Sequence, residues 1–237
     1  TKGLSVDERK VEAVHAYGEL RNTTHIRQFM GLAGYYSRFI QGYQQLARPL
    51  VELTKKNAKF VWGKAQEKAM QWIKDALTTA PVLAYPNMKT PFSLTTDASD
   101  IGLGAILSQF DIEEEDVEYV VQYASKALSP AERNYNTTHR EGLAVIWGTK
   151  KFERYLRGRE FIIYTDHSAL TSILTVKEPR GRVGRWAMLL QEYNFKTKRR
   201  SAMDPIQLEA LKNSNASEYR FLRDGTVLKR LNDKWKR

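Results

Sequence analysis

The pattern of apolar residues changes at Pro81, Pro86 and Pro91, and this change divides the chain into parts of different secondary structure. Proline lacks a backbone N–H and disfavours the continuation of a helix. We therefore place a linker at residues 81–91 and a first domain, built of helices, at residues 1–80.

Residues 1–80 are predicted to hold three helices, since their apolar residues recur at helical spacing. Thr23 or Thr24 is the expected cap of the first helix, and the predicted helices are about 23–40, 45–54 and 65–77. Gly31 and Gly34 lie in the first helix and permit close approach of another backbone. From the residues alone, packing against another helix is favoured for this pair.

From Phe92 onward the composition becomes typical of strands, which alternate with helices further along the chain. The predicted strands are 92–97, 102–110, 117–124, 161–165 and 193–198. The predicted helices are one long helix over 130–156 and two short ones near 168–174 and 183–192. This order predicts an α/β domain with a mixed five-stranded sheet and flanking helices.

The 237 residues carry a net charge of +11, which is unevenly distributed. Residues 1–91 and 196–237 are basic, whereas residues 111–118 hold six acids and are expected to form an exposed loop. A basic excess indicates either a nucleic-acid partner or a solvated basic surface. The absence of cysteine excludes disulfides and cysteine zinc sites. No uncharged apolar run reaches the roughly 18 residues of a membrane span, so no membrane partner is expected.

Three acids occupy positions that a metal site at one sheet edge would require. Asp97 comes late in the first strand of the sheet, Asp166 ends the fourth, and Glu141 lies in the long helix. Small residues at +3, +4 and +7 from Glu141 would let its helix approach the sheet closely. Carboxylate oxygens favour Mg²⁺, with Mn²⁺ as an alternative. From spacing alone, three ordinary surface carboxylates are the alternative interpretation.

The sequence around these acids resembles that of the ribonuclease H domain of gypsy-class LTR retrotransposon Pol polyproteins. The matching segments are TTDAS at 95–99, GLGAILSQ at 102–109, YASKALSPAERNY at 123–135, EGLAVIW at 141–147, YTDHSAL at 164–170 and GRVGRW at 181–186. Upstream, FMGLAGYYSRFI at 29–40, ARPL at 47–50 and FVW at 60–62 resemble the thumb of the same reverse transcriptases. The resemblance covers roughly residues 3–200.

The resemblance implies that Asp97, Glu141 and Asp166 are the catalytic acids and bind two Mg²⁺ ions. Two such ions, about 3.5–4 Å apart, stabilise the attacking and leaving oxygens of a phosphodiester displacement. The family's fourth carboxylate lies beyond the last strand, where this sequence departs from the family pattern. Asp204 is the acid present there, and it is either the fourth ligand or a turn residue before Pro205.

The resemblance also implies contacts with an RNA/DNA hybrid and with the template–primer duplex. The expected phosphate contacts are the basic residues Lys126, Arg140, Arg180, Arg182 and Arg185. Gly31 and Gly34 of the thumb helix are expected to approach the duplex. With the resemblance taken into account, this role and packing against another helix are equal alternatives. His167 either orients the metal ligands from its place beside Asp166 or is a structural histidine.

The implied function is cleavage of the RNA strand of hybrids during retrotransposon reverse transcription, with residues 1–80 as the thumb and 92–205 as the ribonuclease H domain. The alternative is a catalytically inactive connection module that binds nucleic acid or a partner subunit. No Tyr-x-Asp-Asp occurs, so the polymerase site is absent from these residues. Residues 206–237 are predicted to form a basic extension that leads toward an integrase region. The implied partners are the palm and fingers of the reverse transcriptase, a neighbouring integrase and a second copy of this chain. The implied location is the retroelement particle in the cytoplasm, with a nuclear stage as a further possibility.

Overall fold

The structure is a computed structural model. It describes residues 3–80, 83–110, 118–165, 170, 173, 181–198, 219–221, 227–231 and 234–236, and it gives the backbone alone for residues 8 and 10 and for those from 219 onward.

The N-terminal part, here called the helical unit, contains four helices and a 3₁₀ turn. The helices are α1 (Glu8–His15), α2 (Thr23–Tyr35), α3 (Tyr43–Glu52) and α4 (Lys64–Thr78), and the 3₁₀ turn spans Ser37–Phe39. The three predicted helices are confirmed as α2, α3 and α4, and α1 is additional. The cap of α2 is Asn22, whose side chain accepts a hydrogen bond from the His25 N–H at 2.9 Å, so the expected cap at Thr23 or Thr24 is wrong.

A two-stranded sheet joins the start of the helical unit to the segment that follows it. The strands are β1 (Gly3–Leu4) and β2 (Leu83–Ala84), and they are antiparallel. Leu83 is fully buried in the apolar core of the helical unit, together with residues such as Phe29 and Leu77. Part of the segment interpreted as a linker therefore contributes to this core.

The second part is built on a mixed five-stranded sheet, as the sequence predicts. Its strands are β3 (Phe92–Ala98), β4 (Gly102–Phe110), β5 (Glu118–Ala127), β6 (Glu160–Tyr164) and β7 (Asn194–Lys198), in the spatial order β5-β4-β3-β6-β7. The first three strands form the predicted antiparallel meander. β6 pairs in parallel with β3 and with β7, so β3 is central.

Helices flank this sheet, but the single long helix predicted over 130–156 is divided into three. These are α5 (Pro130–Arg133), α6 (Thr137–Lys151) and α7 (Glu153–Leu156), and α8 (Gly181–Gln191) follows later in the chain. The first break arises at Asn136, whose side chain accepts a hydrogen bond from the His139 N–H at 2.8 Å. An asparagine that caps a helix in this way favours a new helix start over continuation.

The helical unit packs on β5, which is an edge strand of the sheet. The Gln44 N–H donates a hydrogen bond to Ser125 Oγ at 3.0 Å, and Val120 and Tyr123 of β5 pack against the core of the helical unit. An uncovered edge strand is open to pairing with other chains. The helical unit thus covers one edge of the sheet.

Residues near the C-terminus form a small antiparallel sheet of three strands, which the sequence analysis does not predict. The strands are β8 (Tyr219–Phe221), β9 (Val227–Leu231) and β10 (Lys234–Lys236), with β9 in the middle. Among the described residues, no helix is long and apolar enough to span a bilayer.

Candidate functional site

Asp97 lies near the carboxyl end of the central strand β3 and is exposed. It stands opposite Gly104 in the antiparallel pairing of β3 with β4. The turn that follows is held by Ser99, whose hydroxyl accepts a hydrogen bond from the Gly102 N–H at 3.0 Å. Asp97 therefore combines a fixed backbone with a carboxylate that is open to solvent.

The strand that leads to Asp166 runs beside β3 in the same direction. Thr95 of β3 is in register with Tyr164, the last residue of β6. The carboxyl ends of adjacent parallel strands share one sheet edge, which is the arrangement that the interpretation of Asp97 and Asp166 requires. Asp166 itself lies outside the described residues, as do His167 and Asp204.

Glu141 lies in the first half of α6 and is half-buried. α6 packs against β3 and β4, and its buried residues include Ala144, Val145 and Gly148. A Cβ atom at residue 148 would lie 3.1 Å from Thr96 Cγ2 and 3.3 Å from Ala105 Cβ. The close approach expected from the small residues after Glu141 is therefore present.

Within the part of the chain that the structure describes, no three His, Asp or Glu side chains gather at a spacing suited to a metal ion. Of the four predicted ligands, Asp97 and Glu141 are described. Both supply carboxylate oxygen, which is the donor type that hard divalent cations prefer. The chemistry of these two donors fits Mg²⁺ or Mn²⁺.

Two of the predicted phosphate contacts are paired with acids. Lys126 Nζ lies 2.6 Å from Glu132 Oε1, and Arg140 pairs with Asp100. Burial opposes ionisation of Glu132, but hydrogen bonds from Lys126 and from the Ser129 backbone and side chain outweigh it, so the pKa of Glu132 is lowered. The Arg140 side chain is only 15% exposed.

The predicted contacts on α8 differ from each other in their surroundings. Arg182 is half-buried and stacks on Tyr135, with its guanidinium carbon 3.6 Å from the ring centroid. Arg185 is exposed. Arg180 lies outside the described residues. Arg185 is thus the predicted contact on α8 that is placed to meet a phosphate from solution.

The two glycines of α2 also differ. A Cβ atom at Gly34 would lie 3.5 Å from the Tyr43 hydroxyl, so Gly34 faces α3 within the protein. Among the described residues, no atom lies within 4 Å of the place where a Cβ atom of Gly31 would be, and Gly31 is exposed. Helix packing therefore accounts for Gly34 but not for Gly31.

Two further residues, not predicted from the sequence, share the exposed face of α2 with Gly31. Arg27 and Tyr35 are four residues to either side of it and are exposed, Tyr35 to 73%. Residues four apart lie on one helix face. The spacing around Gly31 is the signal by which both could have been found.

Comparison with known proteins agrees with this architecture. Residues 87–193 match the family described as the RNase H-like domain found in reverse transcriptase. This range begins just before β3 and ends just before β7, and it includes Asp97, Glu141 and Asp166.

Relatives match over most of the chain. It is 34% identical to the retrovirus-related Pol polyprotein from transposon 297 of Drosophila melanogaster, covering 98% of this chain and 22% of that protein. It is 33% identical to the Pol polyprotein from transposon gypsy of the same species, with 90% and 21% covered. The Tf2-3 polyprotein of Schizosaccharomyces pombe is 35% identical, with 82% and 15% covered. The chain therefore spans about a fifth or less of the length of these relatives.

Solved structures share the fold at low sequence identity. The foamy viral protease-reverse transcriptase in complex with RNA/DNA hybrid superposes with a TM-score of 0.69 at 14% identity, covering 85% of this chain and 28% of that one. The same type of protein in complex with dsDNA gives 0.69 at 14% identity, with 84% and 42% covered. Both alignments cover more of the chain than residues 87–193, so the shared architecture extends beyond the RNase H-like domain.

Proposed function

Since the chain belongs to the retrotransposon Pol polyproteins and carries their RNase H-like domain, we propose that it is a metal-dependent ribonuclease H. It cuts the RNA strand of RNA/DNA hybrids during reverse transcription, and its helical unit is the thumb that holds the duplex.

The observation that carries this proposal is the seating of α6 on β3. Gly148 brings α6 within van der Waals contact of Thr96, the residue before Asp97. The helix that carries Glu141 therefore lies directly over the strand that carries Asp97. One carboxylate on a close-packed helix and one on the central strand beneath it supply oxygen donors on two elements whose backbones are held together.

Asp97 and Glu141 would hold the metal in this proposal, with Asp166 and Asp204 as the further predicted ligands. When bound, Mg²⁺ supplies Lewis-acid stabilisation of the charge that develops on the phosphate oxygens. Two contacts of this chain set the backbones that carry these ligands: the Ser99 turn holds the backbone after Asp97, and the packing of Gly148 on β3 sets the distance of α6 from the sheet.

The thumb role rests on the open face of α2. Gly31 has no neighbour where a side chain would lie, and the exposed Arg27 and Tyr35 flank it. A helix face without a central side chain permits close approach of a nucleic-acid backbone. The arginine adds positive charge, and the tyrosine adds an amphipathic contact surface. The structures of foamy viral reverse transcriptase with RNA/DNA hybrid and with dsDNA support such a ligand.

The test uses the full chain with an RNA/DNA hybrid whose RNA strand carries a fluorescent label. With Mg²⁺, the wild-type chain is expected to cut the RNA strand and leave the DNA strand intact. Asp97→Asn and Glu141→Gln should bind the hybrid, measured by fluorescence anisotropy, and leave the RNA uncut. Lys150→Gln, an exposed position late in α6, is the control for a changed surface charge.

Binding without cleavage in both Mg²⁺ and Mn²⁺ would contradict the nuclease and favour an inactive module that holds nucleic acid. A salt titration tests the binding itself, because affinity dominated by phosphate contacts falls steeply as salt rises. For the thumb, Tyr35→Ala is expected to weaken hybrid binding; an unchanged affinity would remove α2 from the interface.

The chain would act as part of a longer polyprotein, and we propose the reverse-transcriptase palm and fingers as its covalent partners. The proposed place of action is the retroelement particle in the cytoplasm. The chain covers only about a fifth of the length of its relatives, which supports a larger protein of this kind.

A further inference from the structure

We propose that Arg182 is a positioning residue for Glu141 and not a phosphate contact. This inference rests on the proposed function, in which Glu141 is a metal ligand. It assigns α8 a part in the site, namely to hold the helix start that carries Glu141.

Among the described residues, the Arg182 guanidinium contacts two aromatic rings and a histidine. Its central carbon lies 3.6 Å from the ring centroid of Tyr135 and 5.4 Å from that of Trp186. Its Nη2 donates a hydrogen bond to His139 Nδ1 at 3.2 Å, whereas its Nε is buried and has no hydrogen-bond partner among the described residues. A guanidinium stacked on one aromatic ring and bonded to a second side chain is held in a single orientation.

These contacts surround the beginning of α6. Tyr135 immediately precedes Asn136, the residue that caps α6, and His139 lies in the first turn. Trp186, one helical turn after Arg182, has its ring atom Cζ3 3.5 Å from the place where a Cβ of Gly142 would lie. Gly142 is the neighbour of Glu141. One face of α8 thus contacts residues that precede Glu141 in the sequence and the residue that follows it.

These contacts matter because helix ends fray easily. The packing of Gly148 on β3 fixes α6 seven residues beyond Glu141, which leaves its first two turns to be fixed by other contacts. Arg182 and Trp186 are among these contacts, together with the Ile173 side chain beside Gly142 and the pairing of Arg140 with Asp100. Metal ligation requires a carboxylate that is held close to its productive position.

Arg185 offers a natural comparison, since it lies on the same helix and carries the same charge but is exposed. Removal of Arg185 should therefore act on the attraction of nucleic acid. Removal of Arg182 should act on the metal site.

The experiment compares Arg182→Gln, Arg182→Lys and Arg185→Gln in the full chain, with Lys150→Gln as the charge control. Metal affinity is measured without substrate, from the electron paramagnetic resonance signal of free Mn²⁺. Hybrid affinity is measured by anisotropy over a salt series without divalent metal. Circular dichroism checks that each variant is folded.

Arg182→Gln is expected to weaken Mn²⁺ binding about tenfold, with hybrid affinity and its salt slope close to those of Lys150→Gln. Arg185→Gln is expected to lower hybrid affinity and to reduce the salt slope by about one. Arg182→Lys should not restore Mn²⁺ binding, because an ammonium group keeps the charge but cannot reproduce the planar stack. If Arg182→Gln does not fold, Tyr135→Leu, which removes the stacking partner, should show the same loss of Mn²⁺ affinity.

Unchanged Mn²⁺ affinity in the folded Arg182 or Tyr135 variants would overturn the proposal. So would restoration of hybrid affinity by Arg182→Lys after a loss in Arg182→Gln, since that pattern marks a phosphate contact. Failure of the wild-type chain to cut the hybrid would contradict the proposed nuclease, whereas the Mn²⁺ measurement would still decide the role of Arg182.

Discussion

Gly148 of α6 lies directly against Thr96 of β3, and a Cβ atom at residue 148 would come within 3.1 Å of Thr96 Cγ2. Ala105 Cβ and Leu94 Cδ1 lie within 3.4 Å of the same position. This contact sets the distance between α6 and the sheet, and with it the relation between the backbones that carry Glu141 and Asp97.

Gly148→Val is therefore expected to destabilise the chain. A larger side chain has no space between α6 and β3, and overpacking of this kind costs about 1–3 kcal/mol. Gly31→Val is the matched control, because it also places valine in a helix but at a position with nothing within 4 Å. The free energy of unfolding from urea denaturation should fall for Gly148→Val and stay within about 0.5 kcal/mol for Gly31→Val. Equal values for both variants would mean that the packing of Gly148 contributes little.

Gly102→Ala should disturb the pairing of β4 with β5. A Cβ atom there would lie 2.9 Å from the Lys126 carbonyl oxygen and 3.0 Å from Gln45 Nε2 of α3. Gly104→Ala is the control in the same strand, since its Cβ would meet only the Asp97 carbonyl oxygen at 4.0 Å. We expect Gly102→Ala to lower the midpoint of thermal unfolding, because overpacking of this kind costs about 1–3 kcal/mol of stability. Gly104→Ala should change the midpoint little. An unchanged midpoint for Gly102→Ala would show that the pairing of β4 with β5 adjusts without cost.

Glu132 should make stability depend on pH in the acid range. Because its pKa is lowered on folding from the model-compound value of 4.5, its stabilisation is complete above that value and is lost as the pH falls through the lower folded pKa. Glu132→Gln should therefore be less stable than the wild type at pH 6, by up to about 1 kcal/mol for a partly exposed pair. The difference should disappear on acidification to pH values below the folded pKa. A difference that does not change with pH would contradict the ionic origin of the effect.

Tyr43 should produce the opposite dependence in alkali. Burial raises the pKa of its hydroxyl to about 12, above the ordinary value of 10 for tyrosine. The neutral form is thus favoured by folding, and its contribution is complete below pH 10 and is lost as the pH rises through 12. Tyr43→Phe should lessen the fall in stability between these values. Ultraviolet absorbance should show one tyrosine fewer among those that ionise late, and an unchanged titration would exclude Tyr43 as the buried group.

Local sequence determined the strands of the main sheet, three helices of the helical unit and their order. Strand-type composition and short apolar runs predict all five strands of the main sheet, and helical spacing of apolar residues predicts α2, α3 and α4, because these patterns reflect which side of each element is buried. The small residues after Glu141 predict the close approach of α6 to the sheet, which Gly148 and Thr96 show. The proposed roles of Asp97, Glu141 and Asp166 rest on the family motifs and not on periodicity.

Tertiary structure decided what each side chain meets. Lys126, Arg140, Arg182 and Arg185 look alike in sequence, since a basic residue reads the same whether it is free or paired. Their folded surroundings separate them, because Glu132, Asp100 and Tyr135 neutralise or cover the first three and leave Arg185 exposed. In the same way, Gly31 and Gly34 are equivalent on a helix until α3 packs beside one of them. Sequence specifies charge and shape along the chain, whereas long-range packing determines which groups are desolvated and which remain open to a ligand.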